Sequence, residues 1–103
     1  MKALRIDVDG TREMVEITGE TIEQQNDCIY AILGGHFDLI RLSWNAVMLV
    51  DDEGLLKELE INVAAMMLSG YPMIAGTALI FGVQMTDDGE IFTDCPERFE
   101  RLA

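Results

Sequence analysis

The alternation of apolar and polar positions divides the chain into strands and helices before any motif is considered. Leu4, Ile6 and Val8 alternate with Arg5 and Asp7, the period of a half-buried strand. A second strand follows Asp9-Gly10 and runs to about Ile17. A two-residue Asp9-Gly10 turn would set Ile6 against Glu13. A four-residue loop from Asp9 to Arg12 pairs Leu4 with Ile17, Ile6 with Val15 and Arg5 with Glu16. That register joins apolar to apolar and opposite charges to each other, and it is the one expected.

Thr21 with Gln24 reads as a capping box, and Glu20 and Glu23 suit the positive end of a helix. Ile22, Cys28 or Ile29, Ile32 and Leu33 supply its apolar stripe, and Gly34-Gly35 ends it. Phe37 to Leu42 and Ala46 to Val50 are apolar on both faces apart from Asp38 and Arg41, as central strands are. Leu55 to Ile61 is ambiguous between a helical turn and irregular chain. Asn62 is placed to cap a short helix over Val63 to Leu68, which Gly70-Tyr71-Pro72 closes. Gly76 leads into a strand from Thr77 to Val83, and a last short helix runs from Pro96 to Leu102 with Phe99 and Leu102 inward. The expectation is a single α+β domain over residues 1–103. It has a mostly antiparallel sheet of about five strands, with two or three short helices on one face.

Composition narrows the function classes. The chain has 103 residues, half of them hydrophobic, which supports one core rather than disorder. Nineteen acids against seven bases give a net charge of −12. The bases are scattered, and phosphate binding needs them grouped, so direct nucleic-acid binding is not expected. A field this negative favours cationic partners. Cys28 and Cys95 lack metal-type spacing, and Lys2 to Arg5 holds no apolar signal core, so reduced thiols in a cytoplasmic protein are expected. Ile61 to Thr86 carries no charge and is long enough to span a membrane. Ser69-Gly70-Tyr71-Pro72 interrupts it, however, and its flanks are acidic, so no membrane span is expected.

Several groups carry candidate chemistry. Asp7-Val8-Asp9-Gly10-Thr11 resembles the DxDGT signature of haloacid-dehalogenase-type phosphotransferases. That resemblance implies Asp7 as nucleophile, Asp9 as acid/base and magnesium between them on a parallel sheet, with Lys57 and Asp87-Asp88 as nominees for the distant groups. The strand is expected to enter a hairpin, where Asp9-Gly10 is ordinary turn chemistry, and that reading is preferred. Three acid-rich turns recur: Asp7 to Gly10, Asp51-Asp52-Glu53-Gly54 and Asp87-Asp88-Gly89-Glu90. None has calcium-loop spacing. Gathered at one end of the sheet, Asp51, Asp52, Glu53, Asp87, Asp88 and Glu90 would form an acidic lobe for a basic partner. His36, Trp44 and Tyr71 are nominated as a ligand pocket, with Trp44 open between core cap and partner anchor.

Val50-Asp51-Asp52-Glu53-Gly54-Leu55-Leu56, then Leu59-Glu60-Ile61-Asn62, then Ile74 to Gly82 resemble the family catalogued as domain of unknown function 3846. These are short proteins of bacterial genomes, their phages and mobile elements. The order of a strand pair, a helix, a strand ending in a "DEEG" turn, an "LN" step and an "IAGT" strand start also matches. Family members often carry Arg after that Asn, where this chain has Val63. The resemblance implies a phage or mobile-element setting and no established activity.

The function expected is a non-enzymatic binding protein with no cofactor, acting on a basic surface of a host protein. In its extreme form it is a DNA mimic serving anti-defence. The alternatives are a nucleotide or metabolite binder and, more remotely, a magnesium-dependent phosphotransferase using Asp7 and Asp9. Oligomeric state is open.

Overall fold

The computed structural model describes residues 1–103. Its strands are β1 (Lys2–Ile6), β2 (Arg12–Glu16), β3 (Phe37–Ser43), β4 (Ala46–Asp51), β5 (Ala78–Thr86) and β6 (Gly89–Thr93). Its helices are α1 (Ile22–Leu33), α2 (Val63–Ser69) and α3 (Glu97–Glu100). The fold is α+β, with one antiparallel sheet in the order β2-β1-β5-β4-β3 and β6 paired to the later half of β5. Strand β6 is a sixth strand beyond the five expected. It follows the Asp87-Asp88 turn, where Ile91-Phe92-Thr93 has the β-branched and aromatic content of a strand.

The helices cover both faces of the sheet, not one as expected. Ile29 and Leu33 of α1 join Val47, Leu49, Leu79 and Phe81 on one side. On the other side Ala65 of α2 joins Met48, Val50, Ala78 and Ile80, with Phe99 and Leu102 packed against them. The physical reason lies in β4, which is buried at all 6 positions and so cannot leave either face to water. Strand β3, expected to be central, is an edge strand, with Asp38, Leu39 and Arg41 exposed. The β1–β2 register also differs from the expected one. Leu4 lies opposite Met14, Arg5 opposite Glu13 and Ile6 opposite Arg12. Local turn chemistry sets it: Asp7 N–H donates to the Thr11 carbonyl at 2.9 Å and Thr11 N–H to Asp9 Oδ1 at 2.9 Å. Arg5 therefore pairs with Asp7 at 2.9 Å, and Glu16 takes the amino terminus at 2.7 Å.

The helix caps form as read. Gln24 N–H donates to Thr21 Oγ1 at 3.1 Å, and Gln24 Oε1 accepts from Glu20 N–H at 2.7 Å. Gly34, at φ 93°, closes α1 in the left-handed region that favours glycine. Ile22 departs from the stripe and is exposed. Asn62 is fully buried; Oδ1 accepts from Ala65 N–H at 3.0 Å to cap α2. Its Nδ2 donates to the Ile6 carbonyl at 3.0 Å and the Gly76 carbonyl at 2.9 Å, tying β1 to the start of β5. No helix is long and apolar enough to cross a membrane. The uncharged Ile61–Thr86 stretch is spent on α2, a turn and β5.

Cys28 and Cys95 are free and belong to opposite faces of the sheet. Burial pushes the Cys95 thiol up to about 11, so the folded state holds its proton more tightly than the unfolded chain does. Its contribution to stability is therefore complete below the ordinary value of 9.0 and declines as pH rises toward about 11. In a thiol titration with Ellman's reagent near neutral pH, half-exposed Cys28 should react and Cys95 should wait for unfolding. Equal rates at the two thiols would contradict this placement.

Candidate functional site

The nominated residues are divided between the two ends of the sheet. Ile6 pairs with Ala78, and Ala78 with Val50, so the Asp7 and Asp51 turns both lie beyond the end where β5 begins. Thr86 pairs with Gly89, which puts the Asp87-Asp88 turn at the other end of β5. The acids do not form a single lobe. Glu90 is held in a two-pronged ion pair by Arg41 of β3. That bond raises the Arg41 pKa and lowers that of Glu90. Asp87 and Asp88 stay exposed at their turn.

Asp51 is structural. Its side chain is 1% accessible, Oδ2 accepts from Lys57 Nζ at 2.8 Å, and Oδ1 accepts from Glu53 N–H at 2.8 Å. Lys57 Nζ also reaches the Gly34 carbonyl at 3.1 Å, placing a cation at the negative end of α1. The Asp51 bond raises the Lys57 pKa. Asp52 and Glu53 remain exposed beside this pair.

The Asp7-to-Thr11 motif closes an antiparallel hairpin. Asp7 Oδ1 accepts from Arg5 Nε at 2.9 Å and from Thr77 Oγ1 at 3.1 Å. The Thr11 N–H bond lowers the Asp9 pKa. Lys57 is committed to Asp51 and Gly34, and Asp87-Asp88 lies at the far end of β5, so the residues nominated with Asp7 do not meet. No group of three or more His, Cys, Asp or Glu side chains is placed to hold a metal.

His36, Trp44 and Tyr71 do not share a pocket. His36, at the start of β3, stacks edge-on against Tyr30 with ring centroids 5.0 Å apart. Trp44, 85% exposed, sits beyond the other end of β3. Its hairpin is pinned by Arg98 Nη2, which donates to Ser43 Oγ at 2.6 Å and Asn45 Oδ1 at 2.8 Å. Tyr71 lines a different feature, an open groove of about 550 Å³ beside β3.

That groove is the larger of two concavities in the molecule. Asp38, Leu39 and Ile40 of β3 form one wall, and Asp52, Leu55 and Leu56 of the loop after β4 form another. Tyr71, Pro72 and Met73 of the loop before β5 complete it. An antiparallel bridge from Ile61 to Ala75 and the Asn62 bonds hold the two loops together. Leu55, Leu56, Tyr71 and Met73 are exposed apolar side chains, Leu56 at 82%. Asp38 and Asp52 have no cation within ion-pair distance. Such a surface offers apolar area with uncompensated negative charge on its rim. Leu55 and Leu56 are not singled out by the sequence as site residues, and Met73, for which core filling is the expected role, is exposed instead. The only hint was a Leu55-Leu56 pair in a stretch without helical or strand period.

The family model described as "Domain of unknown function (DUF3846)" matches residues 1–103, the whole chain, and the chain belongs to that family. The resemblance carried by Val50–Leu56, Leu59–Asn62 and Ile74–Gly82 is thereby met. No curated protein and no solved structure matches the chain.

Proposed function

We propose that this member of the DUF3846 family is a non-enzymatic binding protein that docks on a basic surface of another protein. The observation that carries the reading is the groove beside β3, where exposed Leu55, Leu56, Tyr71 and Met73 adjoin unpaired Asp38 and Asp52. Apolar contacts would supply affinity there and the acids would supply steering and orientation. The net charge of −12 extends that attraction beyond contact distance. The setting proposed is a bacterial cytoplasm, with a host protein as target and a phage or mobile element as source. A DNA-mimic form is less well supported, because the acidic turns sit at opposite ends of β5 and Arg41 and Lys57 interrupt them.

The test is capture from a bacterial lysate on the immobilised chain in low salt, followed by a wash near 1 M salt, where the screening length falls to about 3 Å. A defined protein retained at low salt and released by the wash is the expected result. Capture of nothing, or of a protein indifferent to salt, would count against the reading.

A further inference from the structure

Strand β3 offers more than a wall to the groove. Asp52 N–H donates to the His36 carbonyl at 3.1 Å, so His36 and Asp52 are a hydrogen-bonded pair of the β3–β4 ladder. In an antiparallel ladder such pairs alternate. Asp38 with Val50 and Ile40 with Met48 are therefore the bonded pairs, and the backbone N–H and C=O groups of Phe37, Leu39 and Arg41 point outward. Strand β3 pairs only with β4, which leaves those groups without a partner strand.

The opposite edge is guarded differently. Strand β2 has 5 residues, three of them charged (Arg12, Glu13 and Glu16), whereas β3 has 7, of which Asp38 and Arg41 are charged and Phe37, Leu39, Ile40 and Leu42 are apolar. Short charged edges resist strand addition; longer apolar ones invite it. Concavities border β3 on both sides. The groove touches Asp38, Leu39 and Ile40, and a second hollow of about 400 Å³ between α1 and β6 touches Phe37. A strand laid along β3 would send alternate side chains toward each.

We propose that the β3 edge binds an extended segment of a partner protein by strand addition, the segment carrying alternating cationic and apolar side chains. Charge complementarity chooses this occupant: Asp38 and Asp52 on the groove rim have no ion-pair partner, and two copies at −12 each would repel. The inference rests on the proposed binding function and specifies its mode.

The probe is a short capped peptide of alternating lysine and valine, with a glutamate–valine peptide as control. Leu39→Pro removes an outward N–H and no β4 bond, as proline on an exposed edge allows, while Leu39→Ala keeps the N–H. The lysine peptide should bind the unaltered chain, protect the Phe37, Leu39 and Arg41 amides from hydrogen exchange, and bind Leu39→Pro at least about tenfold more weakly than Leu39→Ala. A thermal melt confirms that both variants fold. Equal binding by the two variants, no protection at those amides, or no binding of the lysine peptide would overturn strand addition while leaving lysate capture to judge the binding function. A concentration-dependent dimer abolished by Leu39→Pro would assign the edge to a second copy and overturn the choice of occupant.

Discussion

Asn62→Ala is expected to lower stability by about 3 kcal/mol or more, the largest effect of any single polar substitution in the chain. One part is the α2 cap, where loss of the Oδ1 acceptor at Ala65 N–H costs about 1 kcal/mol. The larger part is the pair of buried carbonyls, Ile6 and Gly76, left without the Nδ2 donor at about 1–3 kcal/mol each. Water reaching the gap would recover some of this, which is why the lower figure is chosen. For a domain of this size the thermal midpoint should fall by on the order of 15 °C. Asn62→Asp should fare no better: it keeps the cap acceptor but removes the donor and buries a charge. Circular dichroism melts of the three proteins check the account. An Asn62→Ala midpoint within a few degrees of the unaltered chain would refute the claim that this side chain joins β1, α2 and β5.

Gly82→Ala should be comparably damaging for a steric reason. A Cβ there would lie 2.4 Å from the Asp94 carbonyl oxygen and 2.5 Å from Thr93 Oγ1. Gly82 lies opposite both Ala46 and Thr93, where β5 is flanked by β4 and β6 at once. Asp94 cannot easily withdraw, because Cys95 N–H donates to the Lys2 carbonyl at 2.9 Å and Asp94 Oδ1 accepts from Lys2 N–H at 2.8 Å. Relief would require β6 to leave β5, pulling at the Arg41–Glu90 pair across the sheet. A loss of about 3 kcal/mol, at the upper end for overpacking, is expected as a shift of the urea midpoint. An unchanged midpoint would mean that the two strands are further apart than described.

What could be read from sequence was mostly local. Thr21, Gly34 and Asn62 were legible because a cap is decided by a few neighbouring backbone groups. The hairpin register is not, because cross-strand pairing preferences favour one register and the Asp7–Thr11 and Asp9–Thr11 bonds impose another. Strand β3 looked central because Leu39, Ile40 and Leu42 satisfy both faces of a pattern, and nothing in seven residues says whether another strand lies alongside. Asp38 and Arg41 were the visible signs of an edge. The full burial implied by Ala46 to Val50 already required cover on both faces, a consequence that the one-face reading missed. The groove was the least legible feature. Besides β3, its walls come from residues 52–56 and 71–75, which the Ile61–Ala75 bridge and the Asn62 bonds help to hold together. Loop residues brought together at that distance leave no period to detect.

The division of acids between two ends of the sheet turns a global charge into a local question. It can be put by reversing the same amount of charge at each end. Asp38→Lys with Asp52→Lys alters the groove rim; Asp87→Lys with Asp88→Lys alters the far turn. All four positions are exposed, so both variants should fold. Low-salt lysate capture on the unaltered chain and on the two variants is the decisive comparison. Loss of the captured protein from the groove variant, with retention by the far-turn variant, is the predicted result. Retention by the groove variant, or equal loss from both, would contradict a docking site beside β3.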